Sequence, residues 1–126
     1  MNLTDKAKNL LDWNSKNLLH NTEITNEKIA ALFAENFVVI ANGRTHQANY
    51  DNYREFLYQF KASIKSISYE VHDYIEAETA VTVPMTATIV RTSEDIEKFE
   101  AILILKFDEK GKIILWHEIY IELKST

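Results

Sequence analysis

The hydrophobic repeat of this chain changes period near Ile67, and that change constrains the fold more than any other feature. Before about residue 64, apolar side chains recur every three or four positions, the spacing of helices facing a core. Beyond Ile67 they alternate with polar ones, as in strands with one buried face. In "AVTVPMTATIV", Val81, Val83, Met85, Ala87 and Ile89 share one side, and Thr82, Pro84, Thr86 and Thr88 share the other. Helices first and an antiparallel meander afterwards make an α+β chain, one helical layer against one sheet.

The helical part divides into three. Residues 4–20 carry Ala7, Leu10, Leu11 and Leu18 on one face, with Asn14 as its polar member and Thr4 as the expected cap. A short helix is expected in "NEKIAALFAENF", capped by Thr25 or Asn26, with Ile29, Leu32 and Phe33 as its stripe. A short strand, "FVVIAN", and a loop, "NGRTHQAN", lead to a third helix over 50–64, where Tyr53, Phe56, Leu57, Phe60 and Ile64 form the clearest stripe.

The meander is expected as "SISYEVHDYIEA", "AVTVPMTATIV", "FEAILILKF" and "IILWHEIYIEL", with turns near 77–79, at "RTSEDIEK" and at "DEKG". Pro84 cannot donate to a ladder, so its strand should have an edge or a bulge there. Two glycines and one proline in 126 residues leave little room for linkers, and the length suits one domain over 1–126.

This order of elements resembles the nuclear transport factor 2-like superfamily, whose members include SnoaL-like polyketide cyclases and ketosteroid isomerase. The resemblance is carried by "IAALFAENFVVIANG", "NYREFLYQF" and "ILILKFDEKGKIILWHEIY". It implies a cystatin-like cone: three N-terminal helices packed on a strongly curved antiparallel sheet, with a cavity between the layers. The same architecture serves isomerases, dehydratases, cyclases, epoxide hydrolases and binding modules, so the fold does not choose the function. The isomerase's acidic residues would fall at Ala41 and near Leu103, and its first-helix tyrosine near Trp13 or Asn14; none is reproduced. Steroid isomerisation by that route is therefore not expected.

The last strand splits into two sets, Trp116, Glu118 and Tyr120 against Leu115, His117, Ile119 and Ile121. The family hairpin implies that the first set faces the cavity. A carboxylate among aromatics is disfavoured in its charged form, which tunes it for acid–base work near neutral pH. Glu118 is thus the candidate acid or base. His46 is a candidate proton carrier, because relatives often place a pocket-rim residue just before the third helix. Trp13, Asn14, Tyr53, Met85, Trp116 and Tyr120 are candidates for contact with a small, flat, mostly apolar molecule. The function expected is binding of such a molecule; the alternative is a cofactor-independent isomerase, dehydratase or cyclase using Glu118.

The other face of the last two strands carries Ile102, Ile104, Leu115, Ile119 and Ile121, with His117 at its edge. So large an aliphatic set predicts a homodimer through the outer face of the sheet. A net charge of −5 without a Lys/Arg cluster argues against nucleic acid. The four histidines stand singly, without metal-ligand spacing, and no glycine loop could cradle a phosphate, so neither metal nor cofactor is expected. No run has the length of a membrane span, and the polar start has no signal-peptide core; cytoplasmic is the default.

Overall fold

The computed structural model describes residues 2–124. Three helices, α1 (Leu3–Asn17), α2 (Asn26–Ala30) and α3 (Tyr50–Lys61), pack on a curved, unclosed sheet. Among the described residues its strands are β1 (Phe33–Ala41), β2 (Arg44–Asn49), β3 (Ile64–Val71), β4 (Ile75–Glu76), β5 (Ala80–Arg91), β6 (Ile96–Phe107) and β7 (Ile113–Leu123). The order across the sheet is β2-β1-β7-β6-β5-β3, with β4 also on β5. β1 and β7 run parallel, so the sheet is mixed rather than wholly antiparallel. Strands close to opposite ends of the chain meet there, a pairing that no local pattern encodes.

Helix α1 starts at Asn2, whose side chain accepts the Asp5 N–H at 2.8 Å. Thr4, the expected cap, lies inside the first turn, and its N–H and hydroxyl both donate to the Glu76 carboxylate. Ala7, Leu10, Leu11 and Asn14 form the buried face. Thr25 does cap α2, accepting the Lys28 N–H, but the helix stops at Ala30 and Phe33 opens β1. The misreading has a geometric cause. Phe33 and Phe37 are four apart, a spacing that puts two side chains on one face of a helix and of a strand alike. Both are buried against Tyr53, with ring centroids 4.6–5.1 Å apart.

The segment expected as a loop before α3 is strand β2. Asn42 and Gly43 turn the chain with φ of 48° and 83°, and Ala41 then pairs with Arg44. Two consecutive positive φ values suit a two-residue hairpin, and Asn-Gly is the dipeptide that adopts them at least cost. Asn49 then starts α3 with a reciprocal cap: its side chain accepts the Asn52 N–H, and the Asn52 side chain accepts the Asn49 N–H.

Pro84 sits in β5, opposite Ile102 of β6. Its carbonyl accepts the His72 N–H, so the side lacking a donor faces the gap between β3 and β4, where the chain has left the sheet. The expected edge is therefore local. β5 buries Val81, Val83, Met85, Ala87 and Ile89, and with Leu103, Leu105, Phe107 and Ile113 they form the core against α1, α2 and α3. No helix among the described residues is long and apolar enough to cross a membrane.

Candidate functional site

A cavity of about 390 Å³ lies between α3 and the concave face of the sheet. Small side chains make the space. Ala41 lies beside Glu118, Ala101 between Met85 and Tyr120, and Ala87 between Phe99 and Tyr69. All three alanines line the cavity, where larger residues would close it. The opposite wall is α3, whose Tyr53, Phe56 and Phe60 stack in a row with centroids 6.0 and 6.1 Å apart. Tyr53 is buried, but Phe56 and Phe60 are 47% and 38% exposed. Across from them Phe99 meets Tyr120 edge to face at 5.9 Å.

Asn14, Tyr53, Tyr69 and Glu118 bring polar groups into this mostly apolar space. Asn14 of α1 is buried, and its amide donates to the Tyr69 hydroxyl at 3.2 Å. Tyr53 lines the cavity, and its hydroxyl has no hydrogen-bond partner among the described residues. Glu118 is partly buried, and its pKa is pushed up from 4.5 to about 7. Loss of water around the carboxylate raises it, and a hydrogen bond from Trp116 lowers it by a smaller amount. Burial also drives the Tyr53 and Tyr69 phenols well above their ordinary value, with the Glu118 charge adding in the same direction. A neutral Glu118 and two neutral phenols can all donate; an ionised Glu118 can accept a proton.

The position of Glu118 is set by a residue that periodicity did not single out. The Asn42 N–H donates to the Glu118 carbonyl, and the Asn42 side chain both accepts the Tyr120 N–H and donates to the Tyr120 carbonyl. It thus prolongs the β1–β7 ladder past the hairpin turn and holds the Glu118–Tyr120 segment against β1.

Of the expected site residues, the structure brings Asn14, Tyr53, Met85, Trp116, Glu118 and Tyr120 to one cavity. Two others lie elsewhere. Trp13 packs against the core beside the cavity, because one residue along a helix turns the side chain about 100° from Asn14. His46 is exposed on the edge strand β2, opposite Val39, and does not line the cavity. It therefore does not join Glu118 among the residues that line the cavity. Phe56 and Phe60, expected on the apolar stripe of the third helix, line the cavity as well, and Tyr69 and Arg91 were missed. Arg91 was assigned to a turn, although the alternation from Val81 to Ile89 reaches it two residues later.

Among the described residues no three His, Asp or Glu side chains converge as metal ligands. A second hollow, beside Arg54 and Tyr58, is open to solvent, and its polar groups bond one another: Arg54 to Asn26 at 2.7 Å and the Ile24 N–H to Tyr58 at 2.8 Å.

The chain belongs to the SnoaL-like domain family, whose model matches residues 13–116. No curated protein matches the chain by sequence. Among solved structures it is similar to an NTF2-like protein of unknown function from Exiguobacterium sp. 255-15, at TM-score 0.70 and 11% identity over 95% of this chain and 99% of that one. It is similar to an LEH-like epoxide hydrolase of M. tuberculosis, at TM-score 0.72 and 14% identity over 94% and 82%. The epoxide hydrolase/cyclase-like enzyme SalBIII, with a role in pyran ring formation in the polyether salinomycin, matches at TM-score 0.69 and 14% identity over 93% and 91%. At such identities the likeness establishes the shared cone alone.

Proposed function

We propose that this chain binds a small, largely apolar molecule in the cavity between α3 and the sheet. The observation that carries this reading is a cavity of about 390 Å³ with aromatic and aliphatic walls and the polar groups of Asn14, Tyr53, Tyr69 and Glu118 gathered in it. Ligand sites commonly measure roughly 300–1,000 Å³ and combine apolar walls with a few orienting polar groups. Ala101→Phe tests it, since the new ring would occupy the floor between Met85 and Tyr120. The neutral fluorophore N-phenylnaphthylamine should bind the natural chain and bind the variant at least about tenfold more weakly, a loss of roughly 1.4 kcal/mol. The variant's urea midpoint should stay close to the natural one. Equal affinity for both folded chains would reject the cavity as the binding site.

A second reading adds chemistry: cofactor-independent proton transfer of the isomerase, dehydratase or cyclase type. It is favoured by the Glu118 carboxyl, whose pKa of about 7 makes both protonation states available near neutral pH. In this reading Glu118 removes or returns the proton. Tyr53 and Tyr69, the latter held by Asn14, donate to an oxygen on the reacting molecule.

The partner we propose for the outer face of the sheet is a second copy of the chain. Ile102, Ile119 and Ile121 are 51%, 63% and 66% exposed, and Ile102 and Ile119 are direct cross-strand neighbours. Covering each such side chain gains roughly 1.5–3 kcal/mol, and a two-fold contact covers every one of them twice. Light scattering at micromolar concentration should give twice 14.7 kDa. Ile104→Glu, beside His117, should return the mass to that of one chain. A natural chain that runs as a monomer rules the dimer out.

A further inference from the structure

Among the described residues that line the cavity Arg91 is the one cationic side chain, and it lies far from Glu118. The β5 side chains on the cavity run from Met85 to Arg91, six residues, or about 20 Å of strand at about 3.3 Å each. Glu118 pairs with Leu103, which pairs with Val83, beyond the Met85 end. The space is therefore a trough that runs from Glu118 toward Arg91 past Ala87, Ile89 and Phe99.

The guanidinium is held firmly. Its Nε and Nη2 donate to one oxygen of Glu97, Oε1, at 3.1 and 2.8 Å, and Nη1 donates to the Ser63 hydroxyl at 3.1 Å. Arg91 and Glu97 side chains are only 25% and 30% exposed. Three of five N–H groups are thus used, leaving one on each terminal nitrogen without a partner among the described residues. The other Glu97 oxygen, Oε2, accepts no hydrogen bond from them either.

We propose that Arg91 and Glu97 form a head-group subsite that selects an elongated molecule ending in a neutral oxygen, such as an alcohol, over one ending in a carboxylate. This rests on the reading that the cavity binds a small apolar molecule. The physical reason is charge balance. The free N–H groups reward an oxygen acceptor, but Glu97 already cancels the positive charge. A carboxylate would lose water beside a second carboxylate and meet no net positive charge in return. A neutral oxygen takes the same donors without that conflict.

Decanol and decanoate, differing only in the head, test this by displacement of N-phenylnaphthylamine near pH 6, where Glu118 is mostly protonated. Decanol should bind the natural chain about fivefold more tightly than decanoate, the scale of one partly exposed ion pair. Glu97→Gln keeps an acceptor for Arg91 but removes the cancelling charge, so the preference should reverse toward decanoate by about the same factor. A residue that merely ties β5 to β6 and to the turn after α3 would change the stability of the fold and leave the ratio alone. An unchanged ratio in Glu97→Gln overturns the subsite, as does a natural chain that prefers decanoate. If the fluorophore binds and neither probe displaces it, the subsite falls and the cavity reading stands; if the fluorophore does not bind, both fall.

Discussion

Glu118→Gln should be more stable than the natural chain by about 3–4 kcal/mol at pH 8 and nearly equal to it at pH 4.5, a difference that comes from about 1.4 kcal/mol per pKa unit. The folded-state pKa of Glu118 is about 7, against an ordinary value of 4.5. Between those values the folded chain holds a proton that the unfolded chain has released. The group's stabilising contribution is therefore complete below pH 4.5, declines as pH rises, and is gone above 7. Glutamine fills the same space, stays neutral at every pH and has no such decline. Urea unfolding at the two pH values measures the difference directly. Parallel pH profiles for variant and natural chain would show that the carboxyl is not held at a raised pKa. If proton transfer is the activity, the same substitution should lower turnover by about 10²–10⁴-fold while leaving binding within tenfold. A variant that gains stability and loses activity together is the signature of a group kept in an unfavourable environment for its chemistry.

Phe33→Ala should cost about 3–5 kcal/mol, the range for removing a fully buried aromatic ring. Phe33 is 1% exposed and meets both Phe37 and Tyr53, and its carbonyl accepts the Tyr50 hydroxyl at 3.0 Å. The ring joins the start of β1 to α3, so no neighbouring backbone can collapse into its space without moving one of them. A chain of 126 residues has a total stability of roughly 6–19 kcal/mol at about 0.05–0.15 per residue, so the loss is a large share. The urea midpoint should fall with little change in slope. Binding of N-phenylnaphthylamine should weaken as well, because Tyr53 and its helix form the cavity wall. A loss under about 1 kcal/mol would mean that the ring cluster does not hold the two layers together.

Several parts of this molecule are legible from local pattern. Val81 to Ile89 alternate strictly, and every one of them is buried on the concave side. The same alternation separates Glu118 from His117 and sends Trp116, Glu118 and Tyr120 to the cavity. The Asn42-Gly43 hairpin was equally legible, since its dipeptide is the usual one for that turn, yet the polar residues after it resembled a loop. β2 is an edge strand with only Ala48 buried, so it has little hydrophobic alternation to show. Arg91 was obscured by charge: a lone arginine at the end of an apolar alternation reads as the start of a turn.

By itself, then, the sequence determined that helices give way to the long strands after α3, which side of each long strand is apolar, and which carboxylate lies among aromatics. These follow from spacing between neighbours, which the chain carries locally. Tertiary structure alone decided the parallel meeting of β1 with β7, the trough above Ala41, Ala87 and Ala101, and the separation of Glu118 from His46 and of Arg91 from Glu118. It also decided the pKa of Glu118, because desolvation depends on the walls around the carboxyl, and the cavity walls come from α1, α3, β1, β3, β5, β6 and β7. Periodicity reports the direction of a side chain from its own strand; what stands opposite depends on contacts between residues far apart in the chain.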